Sequence, residues 1–118
     1  MTMLPATTAD PALKRFRTAA EALGLTQSAQ ARLLGLSERT YRRRLKEGRL
    51  EPAEAKVAAF LPRALERVEA LFQDSKRAQT WLTTYNPRLG AVPVARLGDL
   101  EGYEEALLVA EEAFHGFL

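Results

Sequence analysis

Along most of the chain, apolar positions recur every three or four residues, the spacing of one face of an α-helix. Leu13, Phe16, Ala20 and Leu23 form the first stripe, opened by Asp10-Pro11 as cap and first helical position and closed by Gly24. Thr26 caps a second, shorter helix that Leu33 and Leu34 close. Gly35 then supplies the positive φ of a sharp turn, and Ser37 offers an oxygen to the amides of a third helix. In that helix Tyr41 and Leu45, four apart, face inward. The pattern breaks at Gly48 and restarts at Pro52, after which Val57, Leu61, Leu65, Val68 and Phe72 mark a long amphipathic helix. Pro62 lies inside it and lacks an amide hydrogen, which predicts a kink or break near Ala59 to Leu61.

A shorter helix from Ser75 carries Ala78, Trp81 and Leu82, and YNPRLGAVP reads as a structured turn with one further helical turn over Val94 to Leu97. From Asp99, Leu100, Tyr103, Leu107, Ala110 and Phe114 predict a final helix with Glu101, Glu104, Glu105, Glu111 and Glu112 on its other face. No convincing strand pair flanks a hairpin signal. The predicted fold class is therefore all-α. The organisation expected is a flexible lead-in at 1–9, a helix-turn-helix bundle at 10–62 and a small helical domain at 63–118, joined by a packed junction.

The stretch from Gln27 to Leu45 is helix-turn-helix grammar, and its second helix is the most basic run in the chain. With Tyr41 inward, Arg39, Thr40, Arg43 and Lys46 share the opposite face, flanked by Arg42 and Arg44. The second helix of such a unit enters the major groove, where Arg bonds guanine through two parallel hydrogen bonds and Thr touches the thymine methyl. Gln27, Ser28 and Gln30 lie toward the N-terminal end of the preceding helix, a place suited to holding the sugar-phosphate backbone, and Ser37 starts the reading helix. The competing reading is a structural helix hairpin with a solvated arginine face.

Charge sharpens this picture. The net charge of the 118 residues is only +2, but residues 1–50 carry ten Lys or Arg against four Asp or Glu, and residues 51–118 seven against eleven. The first half is thus at +6 and the second at −4. A basic half attracts phosphates, whereas an acidic half is a poor DNA ligand and a better protein ligand. The apolar fraction of 47% is ordinary for a globular domain. With no cysteine there are no disulfides or thiolate metal sites. The first residues lack a signal-peptide pattern and no apolar run reaches bilayer length, so a soluble, cytoplasmic protein is expected.

Nothing points to an enzyme. One histidine and the lack of a glycine-rich phosphate loop or paired metal-ligand spacing leave no catalytic constellation, and no metal or cofactor is expected. His115 alone reads as a surface or capping residue. Trp81 reads as a core plug. Phe117 and Leu118, after Gly116, invite burial: against the core, in a homodimer, or against a partner.

The order of these signals resembles the Xre/MbcA/ParS antitoxin family. RLLGLSERTYRRRLKEGRLEPAEA is similar to the family's helix-turn-helix and following turn, and ALERVEALFQDSKRAQTWL to the helix pair leading to its Trp-Leu. Trp81-Leu82, Asn86-Pro87, Leu89-Gly90 and Pro93 match the family's Trp-Leu and Asn-Pro-x-Leu-Gly pattern, and His115-Gly116 resembles its helix-ending dipeptide. The chain departs from the pattern at Tyr85, Ala91 and Val94. The resemblance implies a type II toxin–antitoxin pair, with a cognate RES-domain toxin that consumes NAD as the protein partner and operator DNA as the other. It implies that 63–118 is a toxin-binding domain whose end reaches the toxin's active-site cleft. The contact residues so implied are Trp81, Asn86, Pro87, Leu89, Glu111, Phe114, His115, Gly116, Phe117 and Leu118. A homodimer or a toxin–antitoxin hetero-oligomer is expected. The competing functions are a stand-alone helix-turn-helix transcriptional regulator whose C-terminal half only dimerises, and an antitoxin that has lost DNA binding.

Overall fold

A computed structural model describes residues 10–115; the lead-in at 1–9 and the tail residues Gly116, Phe117 and Leu118 lie outside the described residues. Seven α-helices follow in order among them: α1 Pro11–Ala22, α2 Gln27–Leu33, α3 Glu38–Glu47, α4 Pro52–Ala58, α5 Phe60–Phe72, α6 Ser75–Thr83 and α7 Leu100–His115, with a 3₁₀ turn at Pro93–Arg96 before the last. No strand occurs among the described residues; one isolated bridge pairs Asn86 with Ala91. The all-α expectation holds.

Caps set the helix starts. Asp10 accepts the Ala12 amide at 3.0 Å, Thr26 the Ala29 amide at 3.0 Å and Ser37 the Thr40 amide at 3.1 Å. Each satisfies one amide that the first turn leaves without a helical partner. Asp10 does more than cap. Its second carboxylate oxygen accepts the Leu50 amide at 3.4 Å and its own amide donates to the Gly48 carbonyl at 2.8 Å, so the start of α1 is tied to the loop after α3. Gly48 makes that loop possible by ending α3 at φ 78°.

The predicted break at Pro62 is present. α4 ends at Ala58, Ala59 turns, and α5 begins at Phe60, placing Pro62 in its first turn where a missing amide hydrogen costs little. α5 is the axis of the molecule: it packs against α1, α6 and α7. Phe16, Ala20, Tyr41 and Leu61 fill the interior on the α1 side, and Val68, Ala78, Leu82, Leu97 and Ala110 on the other, in one continuous buried cluster. The expected boundary between 62 and 63 falls inside α5, so both halves share that helix.

Two stripes differ from expectation. On α7 the buried residues are Gly102, Tyr103, Ala106, Val109 and Ala110, while Leu100 is 55% and Phe114 42% exposed. The expected line of Leu100, Leu107 and Phe114, drifting at 7-residue spacing, has rotated toward the flank of the helix. On α6, Leu82 is fully buried and Trp81 is half-buried, so Leu82 and not Trp81 plugs the core.

The seam between the halves is close. A Cβ at Gly98 would stand 3.1 Å from the Leu33 carbonyl oxygen at the end of α2, and one at Gly102 only 2.0 Å from the Arg96 carbonyl oxygen. Gly102 is there because the first turn of α7 presses directly on the 3₁₀ turn.

Candidate nucleic-acid interface and C-terminal cleft

α2 and α3 are locked together by Tyr41. Its ring is fully buried edge-on to Phe16, with centroids 6.4 Å apart. Its hydroxyl donates to Gln30 Oε1 at 2.5 Å, and Gln30 Nε2 donates to the Leu25 carbonyl at 2.9 Å. Burial pushes the phenol pKa up from 10.0 to about 12. Gln30 is therefore not the surface group expected at the phosphate-facing end of α2; it is a buried bridge that fixes the angle of α3.

With α3 held by its inner face, Arg39, Arg42, Arg43 and Lys46 are exposed on the outer one and Thr40 is half-buried. Arg39, Arg43 and Lys46 form no ion pair with any described residue, and Arg42 approaches Glu38 only to 3.8 Å. Four of the five cations of α3 lie on its outer face, three of them without an ion pair among the described residues, which suits phosphate and guanine contacts. Ser37 is engaged locally: besides capping, its hydroxyl donates to Thr40 Oγ1 at 3.1 Å. On α2, Gln27 is exposed, while half-buried Ser28 accepts a long bond from Arg32 at 3.4 Å.

Arg44 departs from the expected role. Its Nε and Nη2 donate to the two carboxylate oxygens of Glu54 at 2.7 and 2.9 Å, with both side chains nearly covered at 12% and 13% exposure. The pairing raises the Arg44 pKa above its ordinary value and holds the Glu54 carboxyl below its own, the shared hydrogen bonds being the main cause of each. Glu54 also accepts the Glu51 amide at 2.9 Å. Arg44 thus fastens α3 to the start of α4 and is not available to DNA.

In the C-terminal half the seven expected contact residues that are described do not form one patch. Asn86 organises its own loop: its side-chain oxygen accepts the Arg88 and Leu89 amides at 2.9 and 3.3 Å, and its backbone carbonyl accepts the Gly90 amide at 2.8 Å. Leu89 is buried in the core, and Arg96 clasps its carbonyl at 2.9 Å. These two residues shape the fold and present little surface, whereas Pro87 is exposed. Half-buried Glu111 lies 4.0 Å from Arg67. Trp81 and Phe114 do come together: both pack on Phe72, edge-on at 6.2 Å and stacked at 6.0 Å, and exposed His115 lies edge-on to Phe114 at 5.1 Å. Gly116, Phe117 and Leu118 lie outside the described residues.

A cleft of about 570 Å³ opens between these rings, with Lys76 and Arg77 on its rim. Neither cation was anticipated. The signal was present in the sequence as a basic pair four and five residues before Trp81, but only the return of α7 brings Phe114 opposite and makes a cleft of it. Among the described residues no group of three or more His, Cys, Asp or Glu is placed to hold a metal, and no helix is long and apolar enough to cross a membrane.

With the two-helix unit, its free cations and its locked inner face in place, a family comparison becomes decisive. Residues 4–67, more than half of the 118, match the family model described as the antitoxin Xre-like helix-turn-helix domain. The chain belongs to that family. No curated relative matches it. Membership in this antitoxin-type family supports an antitoxin or helix-turn-helix regulator that binds DNA, with α2 and α3 as the two helices of that unit. The match ends within α5, so it leaves α6, the Asn86 loop and α7 to be read from their own chemistry.

Proposed function

We propose that the chain is the antitoxin of a type II toxin–antitoxin pair: its C-terminal half neutralises a RES-domain, NAD-consuming toxin by binding it and blocking its active site, and its helix-turn-helix represses its own operon. The reading is supported by family membership, by the Trp-Leu and Asn-Pro-x-Leu-Gly words of residues 81–93, and above all by one observation. The same chain carries an exposed cationic helix at one end and an open aromatic cleft at the other. In this reading Arg39, Thr40, Arg42, Arg43 and Lys46 meet operator DNA, with Gln27 and Ser28 at the backbone. Trp81, Phe114, His115 and the tail from Gly116 to Leu118 meet the toxin, with Pro87 and Glu111 at the margin. A homodimer, or a hetero-oligomer with toxin, places two copies of α3 on paired half-sites.

Co-expression with the neighbouring toxin reading frame tests the reading. Survival and preserved NAD in cells that die without this chain are expected, and death in its presence would leave only a helix-turn-helix regulator. Truncation after Phe114 separates the contributions within the C-terminal half. Loss of neutralisation is expected, and undiminished neutralisation would remove the tail from the mechanism.

A further inference from the structure

The cleft at the ends of α5, α6 and α7 reverses the charge of its surroundings. Residues 51–118 sum to −4, yet Lys76 and Arg77 are the only charged side chains among the described residues that line the cleft. Neither forms an ion pair with a described residue. Nearby carboxylates are directed elsewhere: Asp74 accepts the Arg77 amide at 3.0 Å and Glu69 accepts the Ser75 hydroxyl at 3.0 Å. The walls are apolar and preformed. Phe72 is packed by Trp81 on one side and Phe114 on another, and the Arg77 guanidinium lies over the Phe72 ring at 5.7 Å. A cation–π contact spends none of the guanidinium's hydrogen-bond donors, so the Arg77 N–H groups stay free for an acceptor.

We infer that this cleft takes a segment of a partner protein in which a large apolar side chain lies beside a carboxylate. The apolar group seats between Trp81 and Phe114 and the carboxylate meets Lys76 and Arg77. The inference rests on the partner-binding role proposed above and specifies the chemistry of what is bound. It also inverts the polarity that net charge suggested, since here the acid comes from the partner. A phosphate is a poorer occupant: the first-turn amide it would need at Arg77 is already taken by Asp74, whose own negative charge stands at that helix end.

Trp81 is the only tryptophan, so its emission reads occupancy of the cleft directly in the full chain. The probe is the peptide acetyl-Ser-Glu-Phe-Leu-Asp-Ser-amide, compared with a counterpart carrying lysine in place of both acids. A saturable change in Trp81 emission with the acidic peptide is expected. Binding should be at least about tenfold weaker for the lysine peptide, and for Lys76→Glu combined with Arg77→Glu. Helical circular dichroism identical to wild type shows that the variant is folded. No emission change, or equal responses to the two peptides, would overturn the inference. The toxin separates the two proposals. If it does not associate with the chain while the acidic peptide still saturates Trp81, the antitoxin role fails and the cleft chemistry stands. If it binds the double variant as tightly as wild type, the cleft chemistry fails and the antitoxin role stands.

Discussion

The two halves of the chain use charge in opposite ways. On α3 most cations are left free: Arg39, Arg43 and Lys46 are exposed and unpaired among the described residues, Arg42 lies 3.8 Å from Glu38, and Arg44 is bound closely to Glu54. On α7 three of the five carboxylates are paired, Glu105 with Arg96 at 2.7 Å, Glu112 with Arg88 at 2.6 Å and, more loosely, Glu111 with Arg67 at 4.0 Å, while Glu101 and Glu104 are exposed without a partner among the described residues. Net charge therefore describes the field of the basic half well and that of the acidic half poorly. What a partner meets is set by which charges the fold leaves unspent, and near Trp81 those are positive.

The largest effect should come from removing the free cations. Arg39→Ala with Arg43→Ala is expected to weaken binding to the chain's own promoter about a hundredfold, by fluorescence anisotropy, without changing the thermal midpoint. Arg44→Ala should instead lower the midpoint, so the two outcomes distinguish free from committed arginines on one helix. Next is the contact of α7 with the 3₁₀ turn inside the C-terminal half. Gly102→Ala drives a methyl into the Arg96 carbonyl and should cost about 1–3 kcal/mol in chemical denaturation. An unchanged midpoint would mean that α7 does not press on the 3₁₀ turn.

Tyr41→Phe leaves the buried Gln30 oxygen without its donor and should cost about 1–3 kcal/mol. The phenol also predicts a pH dependence. Its folded pKa, about 12, lies above the ordinary 10.0, so the fold favours the neutral form. That contribution is full below pH 10.0 and is lost as pH climbs toward 12. Wild-type stability should fall across that window while the Phe variant gains no such slope from position 41. Smallest is Arg88→Ala with Glu112→Ala: the pair is well exposed, and its loss should cost no more than about 1 kcal/mol. A larger cost would mean that the committed charges of α7 also hold the fold.

The parts of the fold legible in the sequence were those written locally. Asp10, Thr26 and Ser37 cap within three residues of themselves, Gly35 and Gly48 turn the chain where they stand at φ 72° and 78°, and Pro62 breaks a helix in its own turn. What escaped depends on residues far apart in sequence. Arg44 shares the basic run with Arg42 and Arg43, and only the loop that returns Glu54 to it, ten residues on, makes it structural. Gln30 looked like a surface amide until Tyr41, eleven residues later, was packed over it. Trp81 and Leu82 are adjacent and both apolar, and the face that α6 turns to the core, not their hydrophobicity, decides which is enclosed. The cleft was illegible for the same reason, since Phe72, Arg77 and Phe114 meet only through three helices.

The account stands on the unspent cations of α3 facing DNA. Its most direct test is the salt dependence of promoter binding, measured for wild type and for Arg39→Ala with Arg43→Ala. Affinity should fall steeply with salt for wild type, and the log–log slope should become shallower by up to about 2 in the variant, the full amount if both arginines neutralise phosphates. Equal affinities and equal slopes would place the DNA contact elsewhere and contradict the account.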